Sequence, residues 1–564
     1  MKERLEKLIA AAARDLFSID TSTKLTRPDE NFGDYATNVA LQIAPQLEKT
    51  PREIADQLQL KLTETLAEYC NNITIAGPGF INIKLKDSAL WDQAKAEFAR
   101  TASGQKIVIE YSDPNPFKIL HAGHLYTSVV GDAVANLLDS TGAAVHRVNF
   151  SGDVGLHVAK TIWAILFYES DGKLDSDIAW QKVQSLADKP LEEKSNWLSG
   201  YYIKGNAAYV DDQNKAKDSI NDFNQKIYKI FEVNDHNSSL AQIYWTCRGW
   251  SYGYFDKFYE RIGSHFEKYY PESGTIELGL KTVREHIGDV FKESDGAVVF
   301  NGEDHGLHTR VFITSQGLPT YETKDIGLLI EKWQDYHFNR SIVITANEQA
   351  QYMAVVLKAI EQFAPELAKA SQHITHGSIR LQGNVKMGSR LGNIIRATEV
   401  LDSVNEANTA LNGKKDDRVV LGAVKYAFLK QRLGGDIIFD PAESVSLEGN
   451  SGPYLQYAYV RAASMLSKTE SDTLPADNLQ ADERKLLLKI GEFQEVQGRA
   501  VNELLPHHVC TYLYELAQTF NQFYEGNRVI GNDREAIRVQ LVRCYARTLK
   551  TGLELLGIPV IDKM

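Results

Sequence analysis

Cysteine is scarce in this chain: four in 564 residues, at Cys70, Cys247, Cys510 and Cys544. None forms a Cys-x-x-Cys pair or sits in a cysteine/histidine cluster, which argues against a disulfide framework and against structural zinc. Buried thiols are the expectation. No apolar run reaches 18 residues, so no transmembrane helix is expected. The segment Met1 to Phe17 lacks the apolar core and small-residue cleavage site of a secretory leader, and a cytoplasmic protein is expected. A surplus of positive charge is missing too. At a net charge of −12, any grip on phosphates has to come from local basic patches.

What is present is ordinary globular composition, 43% hydrophobic and 24% charged, in a chain too long for one core. Residues 1–100 alternate helical and strand-like patterns. Thr50 and Pro51 open a helix toward Tyr69, and Gly77-Pro78-Gly79 turns into the alternating run Phe80 to Leu85, a small α+β domain. Residues 101–447 begin with a buried-strand pattern, Lys106 to Tyr111, then a loop broken by Pro114 and Pro116. A helical stretch, Gly123 to Leu138, and a second strand, Ala144 to Phe150, complete a βαβ unit. The fold class is therefore α/β, with a Rossmann-like, doubly wound catalytic domain. A polar, helix-rich stretch at about 165–285 reads as a helical insertion, and residues 448–564 read as an all-α domain.

Two short loops carry the chemistry. His121-Ala122-Gly123-His124 lies behind the first strand, at the mouth of a helix whose free N–H groups and dipole suit phosphate. Gly123 lets a nucleotide lie close to the backbone, and the two imidazoles can donate to a phosphate as charge builds on it. About 265 residues on, Gly383 to Arg390 sets Lys386 and Arg390 in a glycine-rich turn, with Met387 and Ser389 between them. Taken singly, each is as consistent with capping histidines or a basic surface loop. Glu110, ahead of the first loop, and Asp325, between the two, can offer carboxylates, and Tyr321 lies one turn before Asp325. A strand-end surface charge and a helix cap are the bland readings of those acids.

In that order, the loops resemble the two ATP signatures of class I aminoacyl-tRNA synthetases. The stretch from Glu110 through Asn115 and Lys118 to His124 resembles the arginyl-tRNA synthetase form. So do Gly152-Asp153-Val154-Gly155, Tyr321 to Gly327, Asn347-Glu348-Gln349 and Glu448 to Tyr457, and the likeness spans nearly the whole chain. It departs where the family usually has Ser (here Gly388) and often Lys (here Leu391), and Ser389 stands where a second lysine is expected. The resemblance implies that Lys118 substitutes for that lysine. It further implies ATP with Mg²⁺ and no zinc, bound by His121, Gly123, His124, Lys386, Met387, Ser389 and Arg390, with His121, His124, Lys118 and Lys386 catalytic and no metal ligand among the side chains. L-Arginine would be held by Glu110, Asn115, His121, Tyr321, Asp325 and Gln349. The reaction would pass through arginyl-adenylate to charged arginine tRNA, with tRNA required for the first step.

The resemblance extends to RNA contacts. Tyr454 and Tyr457, one helical turn apart, with Tyr524 and the terminal Met564, correspond to an anticodon-base pocket. Phe80 and Asn82, on one side of a strand, correspond to a pair that touches the tRNA D-loop. Helix-packing aromatics, a core Phe and a turn Asn are the plain alternatives. Residues 1–100 and 448–564 would thus be tRNA-binding and anticodon-binding domains of a monomer with no obligate protein partner and no membrane association. A non-catalytic tRNA-binding paralogue is the alternative function. It is disfavoured because both histidines, Lys118, Lys386 and the acidic residues are all present. A cysteine-specific sister would want zinc ligands, and a glutamate-specific one a cationic pocket.

Overall fold

The computed structural model describes residues 1–212, 215–381, 395–413, 415–469 and 478–563. In the N-terminal region, Phe80–Leu85 is the middle strand of an antiparallel sheet, between Tyr35–Thr37 and Cys70–Ala76. Ile81, Ile83 and Leu85 alternate onto its buried face. The helix Pro51–Thr65 starts as its sequence dictates. Thr50 Oγ1 accepts from Glu53 N at 3.3 Å, and Glu53 Oε2 accepts from Thr50 N at 2.9 Å, a reciprocal cap.

The central sheet has five parallel strands: β1 (Lys106–Glu110), β2 (Ala144–Ser151), β3 (Lys268–Pro271), β4 (Arg340–Ala346) and β5 (Ser371–His376). Their order is β3-β2-β1-β4-β5. The chain winds outward one way from β1 and then the other way from β4, so a crevice opens where β1 and β4 meet at their carboxyl ends. Helix α1 (Ala122–Asp139) crosses from β1 to β2 and is buried along most of its length. Helix α2 (Tyr321–Tyr336) precedes β4 and packs on the helix Glu272–Glu285 through two glycines. A Cβ at Gly327 would lie 2.2 Å from Thr275 O, and one at Gly279 would lie 2.1 Å from Thr323 O.

The expected insertion differs in extent. Five helices, from Leu156–Glu169 to Ser239–Ile262, form it, but residues 268–271 are β3. Lys-Tyr-Tyr-Pro is too short and too polar to read as a buried strand. A small antiparallel sheet, built from Lys292–Ser294, Ala297–Phe300 and Arg310–Ile313, stands apart from the parallel one.

Helices from Gly452–Leu466 to Glu535–Leu555 make up the C-terminal region. It grips the N-terminal domain through charge. Arg484 holds Asp34 with two hydrogen bonds, 2.9 and 2.7 Å, and Arg27 and Tyr35 converge on Glu495 at 2.6 Å each. All four cysteines are buried free thiols. No helix among the described residues is long and apolar enough to cross a membrane.

Candidate active site

The loop from β1 to α1 holds three non-glycine residues in the left-handed region, Ser112 (φ 76°), Asp113 (φ 45°) and Phe117 (φ 69°). Each costs of order 1–3 kcal/mol and persists only where its surroundings insist. Here they do. Ser112 Oγ meets Tyr259 Oη at 2.8 Å, Asp113 Oδ1 accepts from Phe150 N at 2.8 Å, and Phe117 N donates to Ser251 Oγ at 3.0 Å. The distortion aims the chain back across the crevice, so that α1 begins above the ends of β1 and β4.

At that helix mouth the two histidines cap the helix themselves. His121 Nδ1 accepts from Gly123 N and His124 Nδ1 accepts from His121 N, both at 3.1 Å. Each Nδ1 is thereby committed as an acceptor, which leaves each Nε2 carrying the proton as a donor. The rings lie close but tilted, 3.8 Å between centroids with 34° between their planes. Burial, with the nearby Lys118 cation, pushes His121 down to about 4. His124 lies well below the usual imidazole range, from burial and then from His121 and Lys118. Both are neutral donors at pH 7. Glycine is required at 123 because a Cβ there would sit 2.9 Å from the His121 ring and break the cap.

The second wall is α2 and the end of β4. Tyr321 stands at the helix start, half exposed, and Asp325 follows one turn later, inside the helix rather than at a cap. Glu110 ends β1 at 2% exposure, not on the surface. Gly152 lets two side chains pass over its backbone: a Cβ there would lie 2.0 Å from Asn115 Oδ1 and 2.9 Å from Glu272 Oε1. Asp153 beside it is fully buried and accepts from Ser273 N at 2.9 Å and Arg248 Nε at 2.9 Å, which fixes the turn.

Glu110, Asn115, His121, Gly123, His124, Tyr321, Asp325 and Gln349 all line one cavity of about 620 Å³. That volume suits a nucleotide and a small amino acid together. Its α1 end presents neutral N–H donors, whereas its α2 end is short of positive charge. Burial, then Glu110 and Glu272, push the Asp325 carboxyl well above the usual range against an opposing Lys332. Asp113 is raised by burial and by Glu110.

Lys118 is held over the Tyr202 ring, 4.5 Å from its centroid, and reaches the histidines through its field. Lys386, Met387, Ser389, Arg390 and Met564 lie outside the described residues. The chain following that loop is seen, however: His121 and Arg396 form an antiparallel bridge, and Ala122 N donates to Ile395 O at 3.0 Å. The loop's downstream anchor is therefore at the helix mouth.

The residues expected to contact RNA lie elsewhere. Tyr454 Oη accepts from Asn521 Nδ2 at 2.8 Å, Tyr457 is 45% exposed on the same helix face, and Arg461 stacks 4.2 Å over Tyr524. Phe80 is exposed, but Asn82, between Ala36 and Thr74 in the sheet, is only 5% exposed. It is a strand residue rather than a turn Asn.

Sequence reasoning missed four lining or supporting groups: Lys332 against Glu110, Tyr352 against Asp325, Arg310 against Glu322, and His376 against Thr127. Their partners are distant in the chain or are polar residues with no motif around them.

Comparison with known proteins agrees with this geometry. Residues 87–440 match the family model described as tRNA synthetases class I (R), catalytic domain. Residues 3–85 match the arginyl tRNA synthetase N terminal domain, and 455–564 the DALR anticodon binding domain. An arginine–tRNA ligase of a Picosynechococcus species is 31% identical, over 99% of this chain and 98% of that one. The Phocaeicola vulgatus arginine–tRNA ligase is 27% identical over the full length of both. The solved arginyl-tRNA synthetase of Thermus thermophilus shares the fold, with TM-score 0.80 at 23% identity and full coverage of both chains. That of Plasmodium falciparum gives 0.77 at 20%, over 100% of this chain and 99% of that one. The catalytic domain is thus that of a class I aminoacyl-tRNA synthetase. Within that class, the chain belongs to the arginyl-tRNA synthetase family.

Proposed function

We propose that the 620 Å³ cavity is where this chain performs the ATP-dependent ligation of L-arginine to its tRNA. The observation that supports it best is the polarity of that one cavity: neutral N–H donors at a helix mouth face one end, and a carboxylate-rich wall faces the other. ATP lies with its α-phosphate at His121, Gly123 and His124, and Mg²⁺ would offset the charge of its phosphates. Arginine lies with its guanidinium between Glu110 and Asp325 beside Tyr321, and Asn115 and Gln349 hold its α-amino and carboxylate groups.

A carboxylate oxygen of arginine attacks the α-phosphorus, and the bond to pyrophosphate breaks. The Nε2–H donors of His121 and His124 stabilise the charge that builds on the phosphoryl oxygens, and Lys118 and Lys386 add positive field. The terminal ribose 2′-hydroxyl of the tRNA then attacks the arginyl carbonyl and AMP leaves. Positioning and electrostatics supply the catalysis, with no covalent enzyme intermediate. The tRNA lies across the helical domain, its anticodon bases against Tyr454, Tyr457, Tyr524 and Met564. The three units are 1–100, 101–447 and 448–564, working in the cytoplasm as a monomer.

Pyrophosphate exchange across all twenty amino acids, with and without tRNA, tests this reading. Exchange supported by arginine alone among them, and only with tRNA present, is expected. No exchange with any amino acid while tRNA still binds would identify a non-catalytic tRNA-binding protein instead.

A further inference from the structure

The cup's acidic wall contains a cation that its function does not explain. Lys332 projects from α2 two turns beyond Asp325, on the same face, and its ammonium lies 2.5 Å from Glu110 Oε2. Both side chains are almost wholly removed from water, at 1% and 3% exposure. A buried ion pair of this kind is poor evidence of stability, because desolvating two charges cancels much of their attraction. On the other side Tyr352 Oη donates to Asp325, tying the second carboxylate to the helix after β4. Glu110 is thus met by a cation and Asp325 by a neutral hydroxyl.

We propose that Lys332 is the positioning residue that sets the charge of this cup: it fixes Glu110 as one wall, cancels its charge, and leaves Asp325 to carry the negative charge that meets a monocationic side chain. The inference rests on the cup being the arginine subsite. It assigns specificity for a single positive charge to a residue that does not touch the substrate.

The charge environment makes the idea testable. Asp325 faces Glu110 and Asp113 from the β1 end, Glu322 and Lys332 from its own helix, Glu272 from the neighbouring helix, Arg310 from the small sheet, His373 from β5 and Glu348 beyond β4. Lys324 is committed to Glu272 at 2.6 Å and Arg310 to Glu322 at 3.1 Å. His373 is pushed down to about 4 by burial and is neutral. Lys332 is therefore the cation that opposes the upward push on Asp325. A protonated Asp325 cannot pair with a guanidinium, so arginine affinity rises as pH rises through the Asp325 titration. Removing Lys332 moves that limb to higher pH.

The experiment measures KM for arginine and kcat in tRNA charging from pH 5.5 to 9, at saturating ATP and tRNA, for wild type, Lys332→Arg, Lys332→Gln, Lys332→Met and Asp325→Asn. Gln keeps a donor for Glu110 without charge, so a neutral variant remains available should Met not fold. In Gln and Met the limb in 1/KM should move up by about one pH unit, about 10-fold in KM on its acid side, with kcat within about 3-fold. Arg should restore the wild-type profile. Superimposable profiles for wild type and Gln would overturn the proposal, as would an Arg variant that loses kcat and KM together with thermal stability. If Asp325→Asn leaves KM for arginine unchanged, the cup reading itself falls. If Asp325→Asn raises KM while the neutral Lys332 variants do nothing, only the role of Lys332 falls.

Discussion

Substituting Gly152 by alanine isolates the geometry of the cavity from its chemistry. Gly152 does not need a left-handed backbone, so alanine introduces no conformational strain there. The added Cβ would nevertheless lie 2.0 Å from Asn115 Oδ1, where ordinary contact begins at 3.4 Å. Asn115 must therefore retreat by about 1.4 Å, with Glu272 Oε1 yielding less from 2.9 Å. A misplacement of about 1 Å in a positioning group costs about 10²-fold in rate, or roughly 2.7 kcal/mol of transition-state stabilisation. Tyrosine and acid groups at the far wall are untouched, so the loss should appear chiefly in kcat for adenylate formation, measured by pyrophosphate exchange. The double variant Gly152→Ala with Asn115→Ala should be only slightly worse than Asn115→Ala alone, because the main clash has lost its target and only the 2.9 Å approach to Glu272 Oε1 remains. Exchange within 3-fold of wild type for Gly152→Ala would refute the claim that Asn115 helps to hold arginine in position for the attack.

His124→Gln keeps a cap acceptor at the helix mouth yet removes the imidazole donor, and adenylate formation should fall by about 10²-fold with arginine KM unchanged. Because burial holds both imidazoles below the neutral range, kcat at saturating substrates should show no limb near pH 6.5. Such a limb, abolished by His124→Gln, would contradict the neutral-donor assignment. Arg484→Ala leaves Asp34 buried without its cation and should cost about 3–5 kcal/mol in denaturant unfolding. Faster amide exchange in the strand Phe80–Leu85 should accompany it; an unchanged midpoint would show that the two domains do not depend on this clamp. Tyr457→Ala should weaken tRNA use by about 1–3 kcal/mol in kcat/KM, the value of one stacked base, with KM for arginine and ATP unmoved.

Much of this molecule can be read from local pattern. The Thr50-Pro51-Glu53 helix start, the strand before His121 and the helix after it all depend on neighbours within four residues, and they occur where the residues demand. Tyr321 and Asp325 are one helical turn apart, so finding them on one wall required only the helix. Pairs that close across the fold are illegible by the same logic. Lys332 looks like any solvated lysine on an amphipathic helix, yet its partner is Glu110, 222 residues away. Arg484 and Asp34 are 450 residues apart. The strand Lys268–Pro271 escaped notice because four residues are too few to show a period. The sequence offers Gly152 only as part of a stretch that resembles a family motif, and only the side chains crossing it show why a larger residue is excluded.

The most direct test is a crystal structure with a non-hydrolysable arginyl-adenylate analogue, in which a sulfamoyl group replaces the phosphate. The sulfamoyl oxygens are predicted to accept from Nε2 of His121 and His124, with the guanidinium between Glu110 and Asp325 and Asn115 on the α-amino group. An analogue bound with its guanidinium away from α2, or with its sulfamoyl group away from the start of α1, would contradict the account.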